Sequence, residues 1–202
     1  LLSCSLGLWR AVNADSVIVQ EGGLNNDYPF SIVLVGGLPV VSGFTAATFP
    51  GMTTAGSDDA IIVKYNMDGT QAAIKSFGTT FIDQIHCSAI DGSDNVFVAG
   101  VTAGSLNGSN AGGYDVFIAK LDSSLSQVWL VQTGTTGDQY ARAVATDSSG
   151  NLIVGGDTGG TWSGQTSVGH DDAFIMKYDT SGTQQWVIKF GSTSDDRLYG
   201  IA

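Results

Sequence analysis

Three runs in this chain are near copies of one another: Asp59-Ala-Ile-Ile-Val-Lys64, Asp115-Val-Phe-Ile-Ala-Lys120 and Asp172-Ala-Phe-Ile-Met-Lys177, and the intervals between their opening aspartates differ by a single position. Glycines that close strand-like runs keep the same beat at Gly22, Gly78, Gly134 and Gly191, again to within one position. Two more segments repeat in phase. One is Val40-Val-Ser-Gly-Phe-Thr45, Phe97-Val-Ala-Gly-Val-Thr102 and Ile153-Val-Gly-Gly-Asp-Thr158; the other is Phe30–Val35, Ile85–Ile90 and Tyr140–Thr146, with Leu198–Ala202 opening a further copy. Each unit therefore reads as four strands. The turns between them, Met67-Asp-Gly-Thr70, Asp91-Gly-Ser-Asp-Asn95, Asp147-Ser-Ser-Gly-Asn151 and Ser181-Gly-Thr183, hold residues that accept positive φ or bond their own backbone. A repeat of this length built from strands predicts an all-β chain of β-propeller blades, because a four-stranded unit buries its faces only against copies of itself.

The phase divides the chain into a non-repeat leader, residues 1–14, and a partial propeller, residues 15–202. Its units run over about 22–77, 78–133 and 134–190, with 191–202 starting another, about three and a half blades in all. A closed ring takes roughly four to eight blades, so the sequence reads as part of a larger ring or as a chain that closes with a second copy. The leader opens on Leu1-Leu-Ser-Cys4, similar to a lipid-acylation box, and Val12-Asn-Ala14 resembles a signal cleavage site. A clipped reading frame is favoured over a lipid anchor at Cys4.

Composition removes several functions. The chain carries 8 basic and 19 acidic residues, a net charge of −11, which repels a nucleic-acid backbone or an anionic membrane. No apolar run has the length needed to cross a bilayer. Cys4 and Cys87 are the only cysteines and His86 and His170 the only histidines, so neither a disulfide framework nor a zinc spacing exists.

The run Gly169-His-Asp-Asp-Ala-Phe-Ile-Met-Lys-Tyr-Asp-Thr-Ser-Gly182, together with Asp147-Ser-Ser-Gly-Asn151 and the Trp strand ending in Phe190-Gly191, resembles the SBBP family, β-propeller repeats of bacterial and archaeal surface proteins. The resemblance covers roughly residues 15–202 and implies a secreted or cell-surface propeller without a defined catalytic site. It transfers no functional residue.

Candidate chemistry is sparse. Lys64, Lys120 and Lys177 recur once per unit, so they read as inter-blade ion pairs or strand-end polar contacts rather than as catalytic groups. Asp83, Asp138 and Asp195 are assigned to turn hydrogen bonds, and Trp129 and Trp186 to packing between blades. The Asp-x-Ser-Gly-Asn turns offer weak calcium ligands but lack the carboxylate ladder of an EF-hand, so ordinary turns are favoured. Phe49, Tyr114 and Trp162 stand on the linkers between strands, where aromatic faces stack on sugars; they are weak ligand-binding candidates, with packing plugs preferred. No catalytic residue, metal site or cofactor is assigned. The expected function is a non-catalytic extracellular or cell-surface scaffold or interaction module. The alternatives are a carbohydrate-binding, lectin-like propeller and a fragment of a propeller glycan hydrolase or lyase.

Overall fold

A computed structural model describes residues 9–13, 16–20, 26–49, 51–166 and 168–202, and within these the chain is all β, without a helix. Strands β1 (Trp9–Asn13) and β2 (Ser16–Gln20) form a small antiparallel pair. The segment expected as leader thus contains a strand, while Leu1, Cys4, Ala14 and Gly22 lie outside the described residues.

Three four-stranded antiparallel sheets follow. The first holds β3 (Asp27–Val35), β4 (Leu38–Thr45), β5 (Asp59–Tyr65) and β6 (Gln71–Phe77). The second holds β7 (Asp83–Ile90), β8 (Val96–Thr102), β9 (Asp115–Leu121) and β10 (Gln127–Thr133). The third holds β11 (Gln139–Thr146), β12 (Leu152–Thr158), β13 (Asp172–Tyr178) and β14 (Gln184–Phe190). In each sheet the strands lie in chain order, and no sheet closes on itself. First strands pack side by side, β3 against β7 and β7 against β11, whereas the fourth strands are not joined in this way. The sheets therefore fan out from the first strands.

Local chemistry fixes the hairpins. Gly36 and Gly37, at φ 59° and 77°, make the two-residue turn between β3 and β4, a conformation that L side chains resist. Gly69 and Gly182 take φ of 77° and 84° in the turns leading to β6 and β14, and Leu125 takes φ 67° at the matching place before β10. Leu125 tolerates this because its side chain is buried in the core between the first two sheets, and apolar burial offsets the backbone strain.

The runs at Asp59, Asp115 and Asp172 are apolar on consecutive residues because both faces of each sheet are covered. Ile62 and Ala60 pack with Phe117, Ala119 and Leu121 between the first and second sheets. On the other face of the second sheet, Phe97, Ala99 and Ile118 meet Leu152, Val154, Phe174 and Met176 of the third. One polar contact crosses the first joint at the sheets' converging edges: Ser31 Oγ lies 2.7 Å from Ser88 Oγ and accepts the Ser88 N–H at 3.2 Å. Ser31→Ala is expected to cost about 1–2 kcal/mol, read as a lower urea midpoint at unchanged slope; an unaltered midpoint would show that water replaces the hydroxyl without loss.

Two packing expectations part company. Trp129 bridges as expected, its indole N–H donating to the Thr180 carbonyl of the third sheet at 3.1 Å. Trp186 is 40% exposed, since no further described sheet faces β14. Leu198–Ala202 is not a strand. In phase it matches the start of β7 and β11. Its entry nevertheless repeats the earlier joints: Asp196 N–H donates to the Asp171 carbonyl at 2.7 Å, as Asp83 does to Asp58 at 2.8 Å and Gln139 to Tyr114 at 2.7 Å.

Candidate functional site

Each first strand carries a β-bulge at the same repeat position. Pairing shifts between Pro29 and Ser31, between Ile85 and Cys87, and between Ala141 and Ala143, which leaves Phe30, His86 and Arg142 as the extra residues. A bulge leaves one residue out of the ladder and re-aims its side chain. Across from it stand Gly43, Gly100 and Gly156, where a Cβ would collide with the carbonyl oxygen of Tyr28, Gln84 or Tyr140. Only glycine lets the bulged backbone come that close.

Because the first strands converge, the bulge residues form one row. Phe30 and His86 meet edge to face with centroids 5.5 Å apart, and the Arg142 guanidinium lies 5.3 Å from the Tyr199 ring, which occupies the same phase in the last segment. Phe30 and Tyr199 are exposed. His86 places Nδ1 3.1 Å from the Ala141 carbonyl and Nε2 3.3 Å from Gln84 Oε1, two acceptors of which a neutral ring donates to one. Gln84 is itself oriented by its amide N–H, which donates to Asp58 at 2.7 Å. Burial lowers the His86 pKa below its ordinary value, against the pull of the Ala141 carbonyl, so the ring is neutral at neutral pH. Arg142 forms a two-pronged pair with the buried Asp157, which raises its pKa.

The surroundings of this row change along it. Tyr28 and Phe44 stack beside Phe30 at 4.9 Å. At the other end Arg197 holds Asp171 at 3.0 Å and Asp195 at 3.2 Å. His170 Nδ1 stands 3.8 Å from Asp171 and 4.0 Å from Asp195, a grouping with metal-ligand residue types. The Arg197 guanidinium already satisfies both carboxylates.

The linker aromatics do not join this row as a set. Phe49 is buried with Ile61 and Val63, and Trp162 packs edge-on to Phe174 at 5.2 Å between the second and third sheets. Tyr114 alone lies near the row, its ring 5.5 Å from that of Tyr140. Phe49 also lines a groove of about 540 Å³ on the outer face of the first sheet, with Tyr28, Phe44, Ile61 and Val63. Ile61 and Val63 occupy the repeat positions of Phe117 and Ala119, and of Phe174 and Met176, which elsewhere pack sheet on sheet. The groove is a packing face in character.

The repeated polar residues also have local partners. Lys120 pairs with Asp91 at 3.5 Å and Lys177 with Asp147 at 2.9 Å, both within one sheet, where inter-sheet pairs were an expected arrangement. In the first unit Val35 stands in that aspartate's place, ahead of the Gly36-Gly37 turn, so Lys64 reaches across to the Ser123 carbonyl at 2.7 Å. The Asp91 and Asp147 turns spend their carboxylate lone pairs internally, on the N–H groups of Ser93 and Asn95 and of Ser149 and Asn151. Hydrogen bonds from Asn151 and Lys177 hold Asp147 well below the ordinary carboxylate range. A turn with one carboxylate already engaged by a lysine is a poor calcium cage. Cys87 is buried and desolvation pushes its thiol up to about 12, so it is no nucleophile at neutral pH.

Sequence reasoning took His86 as an isolated histidine and did not single out Arg142 or Tyr199. The available signal was the period itself: Phe30, His86, Arg142 and Tyr199 fall at one phase of the repeat and are chemically unlike.

No family model matches the chain. It is similar to "Regulatory protein FlaEY" of Caulobacter vibrioides, 28% identical over 169 residues, covering 75% of this chain and 18% of that protein. The chain thus spans less than a fifth of that relative. Among the described residues, no helix is long and apolar enough to cross a membrane.

Proposed function

We propose that this chain is a run of β-propeller blades of the SBBP-like kind, acting as a non-catalytic interaction module outside the cell or at its surface. It binds its partner through the row Phe30, His86, Arg142 and Tyr199. Four-stranded sheets in chain order, repeated at a near-constant interval and converging on their first strands, support the propeller reading.

One observation carries the binding reading. The bulge and the glycine opposite it are preserved in all three sheets, yet the side chain that the bulge presents is a phenyl ring, an imidazole or a guanidinium. Residues that serve only packing recur in kind, as Ile62 and Ile118 or Phe117 and Phe174 do. A shared backbone device displaying unlike groups in one line suits the recognition of a single extended ligand better than equal sites on every blade. That weighs against the lectin alternative.

The purified chain is to be screened on a glycan array and on a peptide array. A ligand whose affinity falls about tenfold or more in Phe30→Ser and Tyr199→Ser, but not in Val128→Ser on β10, is the expected result. All three side chains are exposed, so none of these changes opens a core cavity. Binding that is indifferent to Phe30 and Tyr199 would place the surface elsewhere. A second reading draws on the likeness to a regulatory protein: the partner is then a protein, and hits appear on the peptide array alone.

A further inference from the structure

At the heads of the first strands β7 and β11 sits a buried polar side chain that ties down the linker before it. Gln139 does this as a neutral amide: its Oε1 accepts the Thr135 N–H at 2.8 Å, and its Nε2 donates to Thr135 Oγ1 at 2.7 Å and to the Gly137 carbonyl at 2.8 Å. Asp83 holds the same place in the second sheet. Its Oδ2 accepts the Thr79 N–H at 2.6 Å and the Thr79 hydroxyl at 2.8 Å, matching Gln139 Oε1. Its Oδ1 takes the place of the amide nitrogen and is buried without a hydrogen bond of good geometry, the nearby Thr102 hydroxyl being the one side chain besides Thr79 that favours its charged form. A carboxylate has no proton to give there; a carboxylic acid does.

The neighbour across this joint is another acid. Asp59 heads β5, accepts the Ala55 N–H through Oδ2 at 2.6 Å, and also leaves its buried Oδ1 without a partner. Asp59 is 1% exposed and Asp83 0%. In the other two joints the equivalent acid gains a donor or a cation, although Asp115 Oδ1, like Asp59 Oδ1, lacks a hydrogen-bond partner. Asp115 receives the Gln132 amide at 2.9 Å and faces Gln139, and Asp172 receives the Lys189 ammonium at 2.8 Å. In the first sheet the corresponding residue is Ser76, which carries no charge, and its neighbour Lys75 lies over the Phe77 ring at 5.4 Å. The remaining charged or titratable groups nearby are Asp58, bound to Gln84, and His86, bound to Ala141. Neither supplies a cation to the pair.

We propose that one carboxyl of the Asp59 and Asp83 pair is protonated in the folded chain, so that the joint between the first and second sheets is closed by acid and loosens as that proton leaves. Desolvation raises both carboxyls above 3.8, with the Asp83 charge adding to the rise at Asp59 and hydrogen bonds from Thr102 and Thr79 opposing it at Asp83. A group raised in the folded state stabilises fully below its unfolded pKa and loses that contribution as pH climbs through the folded value. The loss therefore runs upward from pH 3.8.

Thermal midpoints of the full chain across about pH 4 to 8 test this. Asp83→Asn is expected to raise the midpoint at neutral pH by about 2–4 °C and to flatten the fall that the wild type shows, and Asp59→Asn to do the same. Gln139→Glu is expected to bring a new fall with rising pH to the second joint. Parallel pH profiles for the wild type, Asp83→Asn and Asp59→Asn would overturn the proposal. So would a wild-type midpoint that rises with millimolar calcium but not with acid, since a cation would then be closing the joint.

Discussion

Lys189→Met is expected to destabilise the chain by about 3–5 kcal/mol at neutral pH, the usual cost of stranding one partner of a buried ion pair. Lys189 and Asp172 are each 1% exposed with Nζ 2.8 Å from Oδ2, and the same ammonium donates to the Gly160 carbonyl at 2.8 Å. Burial by itself would raise the Asp172 pKa; the hydrogen bond and charge of Lys189, with the Val168 N–H, bring it below the ordinary value. A carboxyl depressed in the folded state stabilises above its unfolded pKa, and that contribution fades as pH drops through the folded value. The gap between wild type and variant should accordingly be widest at neutral pH and narrow below pH 3.8. Urea unfolding at several pH values measures it. Lys189→Gln should lose less than Lys189→Met, because Gln132 in the second sheet shows that an amide reaches the equivalent Asp115 at 2.9 Å. A pH-independent loss would mean that Lys189 contributes packing rather than charge.

Gly156→Ala is expected to cost about 3 kcal/mol, toward the upper end of overpacking penalties. The added methyl has no place to go: the Tyr140 carbonyl oxygen lies on one side and Phe174 Cε1 3.0 Å away on the other. A side chain would rotate aside, but a backbone carbonyl in a hydrogen-bonded ladder moves only with its strand. Relief therefore means expelling the bulge, which shifts Arg142 away from Asp157 and breaks up the row of bulge residues. Gly150→Ala is the matched comparison. Gly150 also resists substitution, at φ 75°, but its nearest neighbours leave room for a Cβ, so only the milder backbone strain of about 1 kcal/mol applies. Urea midpoints for the two variants separate crowding from strain; equal losses would show that the bulge yields easily.

Strand positions and unit lengths were legible in the residues because the repeat states them three times over. A single run such as Asp172–Lys177 is ambiguous between buried strand and buried helix, but three copies set between Gly- and Asp-rich turns are not. The strand-end glycines were visible too, although their reason was not. Gly78, Gly134 and Gly191 exist because the carboxyl groups of Asp59, Asp115 and Asp172 fill the space where a Cβ would stand. Phase alone also misgrouped one set of acids. Asp83 follows its glycine by five residues and belongs with Gln139 and Asp196, whereas Asp138 and Asp195 follow theirs by four and lie one residue earlier in the unit.

By itself, then, the order of residues determined that this chain forms four-stranded units with apolar surface on both faces, since that follows from which side chains shun water and which turns the backbone accepts. Which side chains meet across units was decided only in three dimensions. Phe30, His86 and Arg142 become neighbours because bulges turn them out of the ladder where the first strands converge, and Asp59 faces Asp83 because two sheets close upon them. Such contacts join residues that stand far apart along the chain, and no local preference encodes a meeting at that distance; the packing of whole sheets does.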